Sequence, residues 1–342
     1  MGSLSIPPLS NTHWELLVRS QFLVKPRPPP KGTSLCGQTA IITGGNSGIG
    51  LETAHEFLEL GVKHLILGVR SVKKGEEVAI PMREAHPEAK VEIWPLDMLS
   101  YQSIQEFAER CAQLTRLDIA ILNAAFTQKE FKINPSTKHE EVFQVNYLST
   151  ALLAILLLPT LKAKSPTGTP GRLTLVCSGT ALASKFPNRD AVPLIPSFDD
   201  GTGWNLFAAN DRYGTSKTLV QMLTHKLGEL VPREDVLVNT VDPGLTGGSG
   251  LFRDAKGPLL WALKLWLLVA ARTLRQAAWT YVDAAVVKGE ATHGSYLMNL
   301  EIYPFYPVMY QEKGMKTVER LWDETLEELE FANAKKIMEA LK

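Results

Sequence analysis

The sequence lacks the charge imbalance that binding to nucleic acid or to an anionic membrane would require. Its 342 residues include 36 Lys plus Arg and 36 Asp plus Glu, so the formal net charge at pH 7 is zero. Cysteine is also scarce, since only Cys36, Cys111 and Cys177 occur, far apart in the chain. Three scattered cysteines predict neither a disulfide framework nor a metal site, and they favour a reducing, cytoplasmic compartment.

We also expect no secretory signal, because residues 1–10 are polar and contain proline where a signal would be basic and then apolar. One apolar run, residues 258–271, is interrupted by Lys264 and is short against the roughly 20 residues that a membrane span requires. The run favours a buried or substrate-covering helix, and an interfacial helix is the alternative. We therefore expect no transmembrane span, with peripheral contact to the endoplasmic reticulum membrane as the alternative location.

Short apolar runs alternate with helical segments along the chain. The predicted strands are residues 39–43, 64–68, 91–95, 119–123, 172–178 and 237–241, with a late strand near 294–300. Such alternation predicts an α/β fold, namely a Rossmann-like, doubly wound parallel sheet with helices on both faces, in a single domain. Ligands of this fold bind outside the carboxyl ends of the strands, at the point where the strand order reverses.

The two ends of the chain are expected to lie outside this domain, which covers residues 36–330. Residues 1–35, with a stiff proline-rich linker at 26–31, predict an arm laid over the domain. Its side chains available for docking are Trp14, Leu16, Leu17 and Phe22. The charged segment 319–342 predicts a terminal amphipathic helix with a solvated face, of which residues 331–342 form a C-terminal tail.

A glycine-rich loop follows the first predicted strand and leads into a predicted helix over residues 51–58. Its sequence is Thr43-Gly44-Gly45-Asn46-Ser47-Gly48-Ile49-Gly50. Glycine lets the backbone turn sharply and approach a pyrophosphate, and a helix N-terminus supplies free N–H groups and partial positive charge. Because a strand precedes the loop and a helix follows it, dinucleotide binding is favoured over an ordinary turn. The residues assigned to the cofactor are Gly44, Ser47, Gly48, Ile49 and Gly50.

Tyr213 and Lys217 lie one helical turn apart, near the start of a helix predicted over residues 215–230. A free tyrosine has a pKa of about 10 and is a poor acid–base catalyst at neutral pH. A nearby ammonium is expected to lower the pKa of Tyr213 toward the working range. A Tyr and a Lys at this spacing also occur often by chance. The pair indicates a catalytic role only because it follows the glycine loop in the chain.

Together these motifs resemble the short-chain dehydrogenase/reductase family over about residues 36–330. The glycine loop matches its Thr-Gly-x-x-x-Gly-x-Gly motif, and Tyr213 and Lys217 match its Tyr-x-x-x-Lys motif. Ser178 and Asn146 fall where the family keeps its catalytic serine and asparagine. Within the family the chain looks most like the retinol-dehydrogenase-like group, which includes fungal members of secondary-metabolite pathways.

The resemblance implies a catalytic role for each of these four residues. Tyr213 would donate its proton to a carbonyl oxygen during reduction, or remove it from an alcohol during oxidation. Lys217 would lower the tyrosine pKa and bind the nicotinamide ribose, and Ser178 would orient the substrate oxygen. Asn146 would anchor a water that relays protons to Lys217. The structural alternatives are a serine that merely ends a strand and an asparagine that caps a helix kink.

The end of the second predicted strand indicates NADP(H) as the cofactor. An NAD enzyme places an acidic residue there to bind the ribose 2′-hydroxyl, but Val69 occupies this position and Arg70 follows. An arginine can pair with a 2′-phosphate through charge-assisted hydrogen bonds, and a solvated surface arginine is the alternative. The resemblance further assigns Asp97 to a position near the adenine and Asn123 to the family's Asn-Ala-Gly motif.

Two positions depart from the family pattern. Ala125 replaces the glycine of the Asn-Ala-Gly motif, and Gly248 stands where a threonine usually follows the Pro-Gly turn. Thr246 is therefore assigned to the nicotinamide carboxamide, with Ser249 as the alternative. The glycine-rich run 247–250 predicts a mobile substrate lid around residues 245–275. Its side chains expected to line or cover an apolar pocket, or simply to form core, are Trp261, Leu265 and Trp266.

These features predict an NADP(H)-dependent oxidoreductase that interconverts a carbonyl and an alcohol on an apolar small molecule, as a monomer or homodimer. An isomerase, cyclase or dehydratase that uses Tyr213 as an acid without net redox is the alternative, and the Ala125 and Gly248 departures leave room for it. A non-catalytic dinucleotide sensor is the third hypothesis, since fold alone does not establish function. The complete set of four catalytic residues argues against a sensor.

Overall fold

The structure, a computed structural model, describes residues 2–9, 13–248 and 271–341. The predicted lid residues Ser249, Trp261, Leu265 and Trp266 therefore lie outside the described residues, as does almost all of the apolar run 258–271. In the arm, the side chains of Trp14 and Leu17 also lie outside the description.

The described residues form an eight-stranded sheet in the order β3-β2-β1-β4-β5-β6-β7-β8. Its strands are β1 Thr39–Thr43, β2 His64–Val69, β3 Lys90–Pro95, β4 Ile119–Leu122, β5 Gly171–Val176, β6 Val236–Asp242, β7 Ser295–Met298 and β8 Glu301–Tyr303. Neighbouring strands are parallel except β7 and β8. The predicted fold class and all seven predicted strands are confirmed, and the strand order reverses between β1 and β4.

The eighth strand was not predicted, because the late strand predicted near residues 294–300 extended across a tight turn. Asn299 and Leu300 both adopt left-handed backbone conformations, with φ of 58° and 65°. Two consecutive residues of this kind close a hairpin whose twist matches that of its strands. The late strand therefore ends at Met298, and the chain returns antiparallel along it as β8.

Helices cover both faces of the sheet. The α-helices among the described residues are α1 His13–Val18, α2 Gly48–Glu59, α3 Val72–Ala85, α4 Tyr101–Ala112, α5 Glu141–Phe143, α6 Thr150–Lys164, α7 Leu206–Leu230, α8 Leu274–Val282, α9 Glu312–Glu328 and α10 Ala334–Leu341. In β1, Ile41 packs in the core beneath α4 and α6, whereas Ala40 and Ile42 pack in the core beneath α2 and α8. Burial on both faces is what a parallel sheet requires.

Two predicted helices have different bounds in the structure. The helix that carries Tyr213 begins at Leu206, well before the predicted start at 215, because the Asn205 side chain caps it by accepting hydrogen bonds from the N–H groups of residues 207 and 208. The terminal helix predicted over 319–342 is two helices, α9 and α10. The chain breaks between them at Asn333, whose φ is 57°.

The N-terminal arm is docked through one of the side chains predicted for this role, Leu16, and not through Phe22. Leu16 is buried in the main core, as expected, but Phe22 is 44% exposed, contrary to the prediction. The turn Arg19–Leu23 directs Ser20 and Gln21 inward in place of Phe22. Further toward the N-terminus, the Ser3 hydroxyl oxygen accepts a hydrogen bond from the Tyr296 N–H on β7 at 2.8 Å.

One helical stretch, Glu141–Lys164, has the length and apolar composition of a membrane span. It lies inside the core, where 89% of its most apolar window is buried. Packing against the sheet and α4 therefore accounts for its apolar composition.

Candidate active site

A cavity of about 200 Å³ opens at the carboxyl ends of the central strands. Six of the predicted site residues line it, namely Ile49, Asn123, Ser178, Tyr213, Lys217 and Thr246. Ala125, which replaces the glycine of the Asn-Ala-Gly motif, also lines the cavity. The fold thus brings the glycine loop, the end of β5 and the middle of α7 to one place, at the reversal of strand order where ligands of such sheets bind.

The glycine loop is shaped for close approach of a ligand backbone. Gly44 and Gly48 have φ of 66° and 57°, a region that glycine enters without steric cost. A Cβ at Gly50 would lie 2.6 Å from Asn123 Nδ2 and 2.7 Å from the Gly44 carbonyl oxygen. The Ser47 side chain makes no capping hydrogen bond to α2, so it leaves the N–H groups of the first turn of that helix to another acceptor, such as an anion.

Asn123 fixes the crevice between β1 and β4. Its Nδ2 donates a hydrogen bond to the Thr43 carbonyl oxygen at 2.9 Å, and its Oδ1 accepts one from the Tyr281 hydroxyl at 3.0 Å. The N–H of Ala124 donates to Thr43 Oγ1 at 2.9 Å. Tyr281, on α8, is buried and lines the cavity, and it was not predicted.

Tyr213, Lys217 and Ser178 converge in the cavity, but their contacts differ from the expected ones. Lys217 Nζ donates a hydrogen bond to the Val176 carbonyl oxygen at 2.9 Å and lies 5.9 Å from the Tyr213 ring centroid. The Ser178 side chain lies close enough to the Tyr213 hydroxyl to favour its ionised form. Ser178 Oγ also accepts from the Thr180 hydroxyl at 3.0 Å, so the turn after β5 orients the serine.

Burial dominates the protonation of both groups in the free protein. Burial raises the pKa of Tyr213 above its usual value, although the Ser178 side chain opposes the rise. Burial lowers the pKa of Lys217 to about 8. Burial thus outweighs the effect expected of Lys217, whose Nζ donates to Val176, and a lowering of the tyrosine pKa by Lys217 stays a prediction.

Asn146 lies beside the cavity rather than in its lining. It is buried within the π-helical turn Gln144–Ser149, and its amide clamps the backbone of Phe126. Oδ1 accepts from the Phe126 N–H, and Nδ2 donates to the Phe126 carbonyl oxygen, both at 3.0 Å. Nδ2 also donates to Ser216 Oγ at 3.1 Å, and Ser216 donates to the Tyr213 carbonyl oxygen. Asn146 therefore joins the loop after β4 to the helix of Tyr213 and Lys217.

Arg70 and Asp97 lie outside the cavity lining, at the carboxyl ends of the neighbouring strands β2 and β3. Arg70 is exposed and makes no salt bridge with any residue that the structure describes. Asp97 Oδ1 accepts a hydrogen bond from the Leu99 N–H at 3.0 Å, which closes a turn after β3. In the sheet, β2 and β3 lie beside β1 on the side of the switch point away from β4, so both residues stand at the same edge as the glycine loop.

The loop after β6 explains one of the two sequence departures. Gly248 has φ of 76°, where a threonine would be strained. Thr246 is buried, and its hydroxyl donates to the Gly244 carbonyl oxygen at 3.0 Å. Thr246 pairs with Arg272 through a backbone bridge, which places it in the cavity wall.

Other residues of the cavity escaped the sequence-based predictions. They include Leu16, Ser20 and Gln21 of the arm, together with Cys177, Asp242 and Met298. Asp242 is buried, and its Oδ1 accepts from the Gly244 N–H at 3.0 Å. The only available signal was its position directly before the Pro243-Gly244 turn. In the part of the chain that the structure describes, no group of three or more His, Cys, Asp or Glu could hold a metal ion.

Comparison with known proteins finds relatives over nearly the whole chain. A family model described as short chain dehydrogenase matches residues 38–188. The short chain dehydrogenase/reductase mfmJ of Annulohypoxylon moriforme is 48% identical over 325 residues, which cover 95% of this chain and 94% of that protein. The short chain dehydrogenase virL of Hypocrea virens is 41% identical over 93% of this chain and 92% of its own length.

Solved structures share the fold at lower identity. The NADPH-dependent 3-quinuclidinone reductase of Rhodotorula rubra aligns with a TM-score of 0.58 and 22% identity, over 85% of this chain and 94% of that one. The complex of RhlG with NADP from Pseudomonas aeruginosa aligns with a TM-score of 0.58 and 22% identity, over 82% of this chain and 98% of that one.

Proposed function

This chain belongs to the short-chain dehydrogenase/reductase family, and on that premise we propose that it is an NADP(H)-dependent oxidoreductase that interconverts a carbonyl and an alcohol on an apolar small molecule. The observation that carries the proposal is the convergence of Ser178, Tyr213 and Lys217 in one cavity at the switch point of the sheet. The curated relatives are fungal short chain dehydrogenases, which supports a role in secondary metabolism.

The glycine loop and Arg70 support NADP(H) as the cofactor. The space at Gly50 is too small for a Cβ, and the backbone there is held against Asn123, which leaves the start of α2 open to a pyrophosphate. Arg70 is exposed and outside any salt bridge with the described residues, so its guanidinium is available for a 2′-phosphate. Two structural neighbours are described as NADPH-dependent or bound to NADP, which agrees with this assignment.

In the proposed reaction, Tyr213 is the acid of the reductive direction. Its raised pKa keeps the phenol protonated in the free protein, so the proton that a carbonyl oxygen needs is already in place. The bound cofactor would supply the hydride, or accept it in the reverse direction. Ser178, which lines the same cavity as Tyr213, would hold the substrate oxygen near the phenol. Lys217 would bind the nicotinamide ribose and return a proton to Tyr213, with Asn146 anchoring the relay.

The cavity lining supports an apolar substrate. Leu16, Leu182, Leu245 and Met298 face the space beside the catalytic tyrosine. A pocket with mainly apolar walls and a few polar groups binds apolar ligands and fixes their orientation. Three free cysteines, of which only Cys36 is exposed, support the cytoplasmic location proposed for the enzyme.

The test is turnover of a panel of hydrophobic ketones and aldehydes by the purified protein with NADPH or NADH. We expect carbonyl-dependent loss of NADPH absorbance, with transfer of one deuterium from deuterated NADPH to the product carbon. NADPH should be preferred over NADH by at least about tenfold, as the loss of one charge-assisted contact implies. Conversion of a substrate without loss of NADPH would instead indicate an isomerase, cyclase or dehydratase. Tight NADPH binding without any turnover would indicate a sensor.

A further inference from the structure

A second cavity, which we call the amino-end cavity, lies apart from the candidate active site. Its volume is about 470 Å³, and it opens at the amino ends of the central strands, whereas the candidate active site lies at their carboxyl ends. Gln38 and Asp118, which directly precede β1 and β4, line it together with Arg172, the second residue of β5. A concave space of this size with a few polar groups is typical of a small-molecule site.

The guanidinium of Arg172 is held in place at this cavity. Its Nη1 donates a hydrogen bond to the Lys288 carbonyl oxygen at 2.7 Å and a longer one to the Ala285 carbonyl oxygen at 3.5 Å. Its Nε and Nη2 make no hydrogen bond with any described residue, and neither of these atoms is fully buried. They form one edge of the guanidinium, the edge that can donate two parallel hydrogen bonds to an oxyanion. A ligand in the cavity can reach this edge, because Arg172 lines the cavity and is only half-buried.

The positive charge of Arg172 has no carboxylate partner among the described residues. Burial lowers the pKa of its guanidinium, and no neighbouring charge offsets this effect. The two other charged side chains of the cavity pair with each other, since Arg116 Nε lies 2.8 Å from Asp118 Oδ2. The same oxygen also accepts a hydrogen bond from the Thr39 N–H at 2.8 Å. The cavity therefore carries one uncompensated positive charge, and a partly desolvated charge is stabilised by a counter-ion.

We propose that the amino-end cavity is a binding site for a small oxyanion, a phosphate or carboxylate group, which accepts hydrogen bonds from Nε and Nη2 of Arg172. Because the carbonyl oxygens of Ala285 and Lys288 already fix the guanidinium, binding orders little of the side chain, and the entropic cost of binding is low. The site is distinct from the 2′-phosphate site proposed at Arg70, because that residue follows the carboxyl end of β2. Oxyanion binding here is therefore independent of the oxidoreductase function proposed above.

The test is calorimetric titration of the full-length protein with inorganic phosphate and, separately, with succinate, at constant ionic strength. We expect saturable binding of at least one of these anions. Arg172→Gln should weaken this binding by about tenfold or more, as the loss of charge-assisted hydrogen bonds implies. Thr169→Glu places a carboxylate at an exposed position of the cavity wall and should weaken binding similarly. Thermal unfolding shows whether each variant is folded, and Thr169→Glu decides the result if Arg172→Gln does not fold.

Two control variants should keep the wild-type affinity for the anion. Arg233→Gln makes the same change of charge at an exposed arginine outside the cavity lining. Arg70→Glu disables the other proposed anion site, so binding that survives this change does not come from the cofactor pocket.

Binding of either anion with this dependence on Arg172 supports the site, and the two titrations show whether phosphate or carboxylate is preferred. Absence of saturable binding of both anions to the wild-type protein would overturn the site. Undiminished affinity in folded Arg172→Gln and Thr169→Glu would overturn it as well. Loss of binding in Arg70→Glu but not in Arg172→Gln would assign the anion to the cofactor pocket and reject the site. An equal loss in Arg233→Gln would indicate attraction to net charge alone and would also reject it.

Discussion

The ammonium nitrogen of Lys217 lies 5.9 Å from the ring centroid of Tyr213 and donates its hydrogen bond to the Val176 carbonyl oxygen. The two side chains are thus neighbours in the free protein without a direct hydrogen bond between their polar ends. Burial raises the pKa of Tyr213 and lowers the pKa of Lys217 to about 8. The free protein therefore holds the tyrosine in the acid form that carbonyl reduction consumes.

Replacement of Tyr213 by Phe should lower kcat by about 10²- to 10⁴-fold, the usual contribution of a positioned acid. The dissociation constant for NADPH should change little, because the ring remains in place. The control is Tyr147→Phe, which removes the hydroxyl of another buried tyrosine, hydrogen-bonded to Thr325 outside the cavity. It should keep activity and lose about 1 kcal/mol of stability. Undiminished turnover in Tyr213→Phe would reject the proposed mechanism.

Replacement of Arg70 by Glu should weaken NADPH binding by about 10- to 100-fold, as expected when a charge-assisted contact worth about 1.5–3 kcal/mol is lost. Binding of NADH should change much less, because it has no 2′-phosphate. Fluorescence titration with both cofactors measures this selectivity. Lys335→Glu makes the same change of charge at an exposed position of α10 and should leave both affinities as they are. Equal losses of affinity for NADPH and NADH would show that Arg70 does not bind the 2′-phosphate.

Replacement of Gly50 by Ala should destabilise the protein and weaken NADPH binding. The new methyl carbon would lie 2.6 Å from Asn123 Nδ2 and 2.7 Å from the Gly44 carbonyl oxygen, so the turn must shift. Overpacking of this kind costs about 1–3 kcal/mol, which denaturant unfolding would detect. Gly289→Ala is the matched control, because no atom lies within 4 Å of a Cβ built there. Normal NADPH affinity in Gly50→Ala would contradict close backbone approach at this turn.

Stability should fall as the pH rises through about 9, because of His139. Burial disfavours its charged form, but hydrogen bonds to Asp199 and Glu328 outweigh burial and raise the pKa of His139 to about 9. A group whose pKa is raised by folding binds its proton more tightly in the folded state. Its stabilisation is therefore complete below the unfolded value of about 6.5 and is lost as the pH passes the folded value.

Denaturant unfolding at a series of pH values would measure this loss, which is about 3 kcal/mol at most. The variant His139→Gln should be less stable below pH 6.5 and should lose most of the pH dependence. His55→Gln is the control, because His55 is exposed on α2, and it should keep the wild-type profile. A wild-type stability that is flat between neutral pH and pH 9 would show that the ion pairs of His139 contribute nothing.

The strands and the glycine loop could be predicted because their signals are local. β1 and β2 are nearly continuous apolar runs, as expected of strands buried on both faces, and the loop glycines mark left-handed positions at Gly44 and Gly48. Helix bounds were less predictable. The start of α7 depends on the cap at Asn205, and residues 206 and 207 are exposed apolar residues that break the expected periodicity.

The contacts between distant parts of the chain could not be predicted. Nothing in the sequence distinguishes Arg272 from an exposed surface arginine, yet its side chain is buried and donates hydrogen bonds to Ser20 and Pro243. His139 likewise carries no motif, and it meets Asp199 and Glu328 only because three separate segments pack together. Such partners are set by packing, which no spacing along the chain encodes.

The sequence by itself determined the succession of strands along the chain, the glycine turn and the Tyr213–Lys217 spacing. These depend on backbone preferences and on helical periodicity within a few residues. Only the tertiary structure decided that Lys217 bonds to Val176, that Tyr213 is held as a phenol, and that the arm closes one side of the cavity. Protonation and pocket shape follow from burial among residues far apart in the chain. Burial is a property of the packed molecule, so it emerges only when those residues meet.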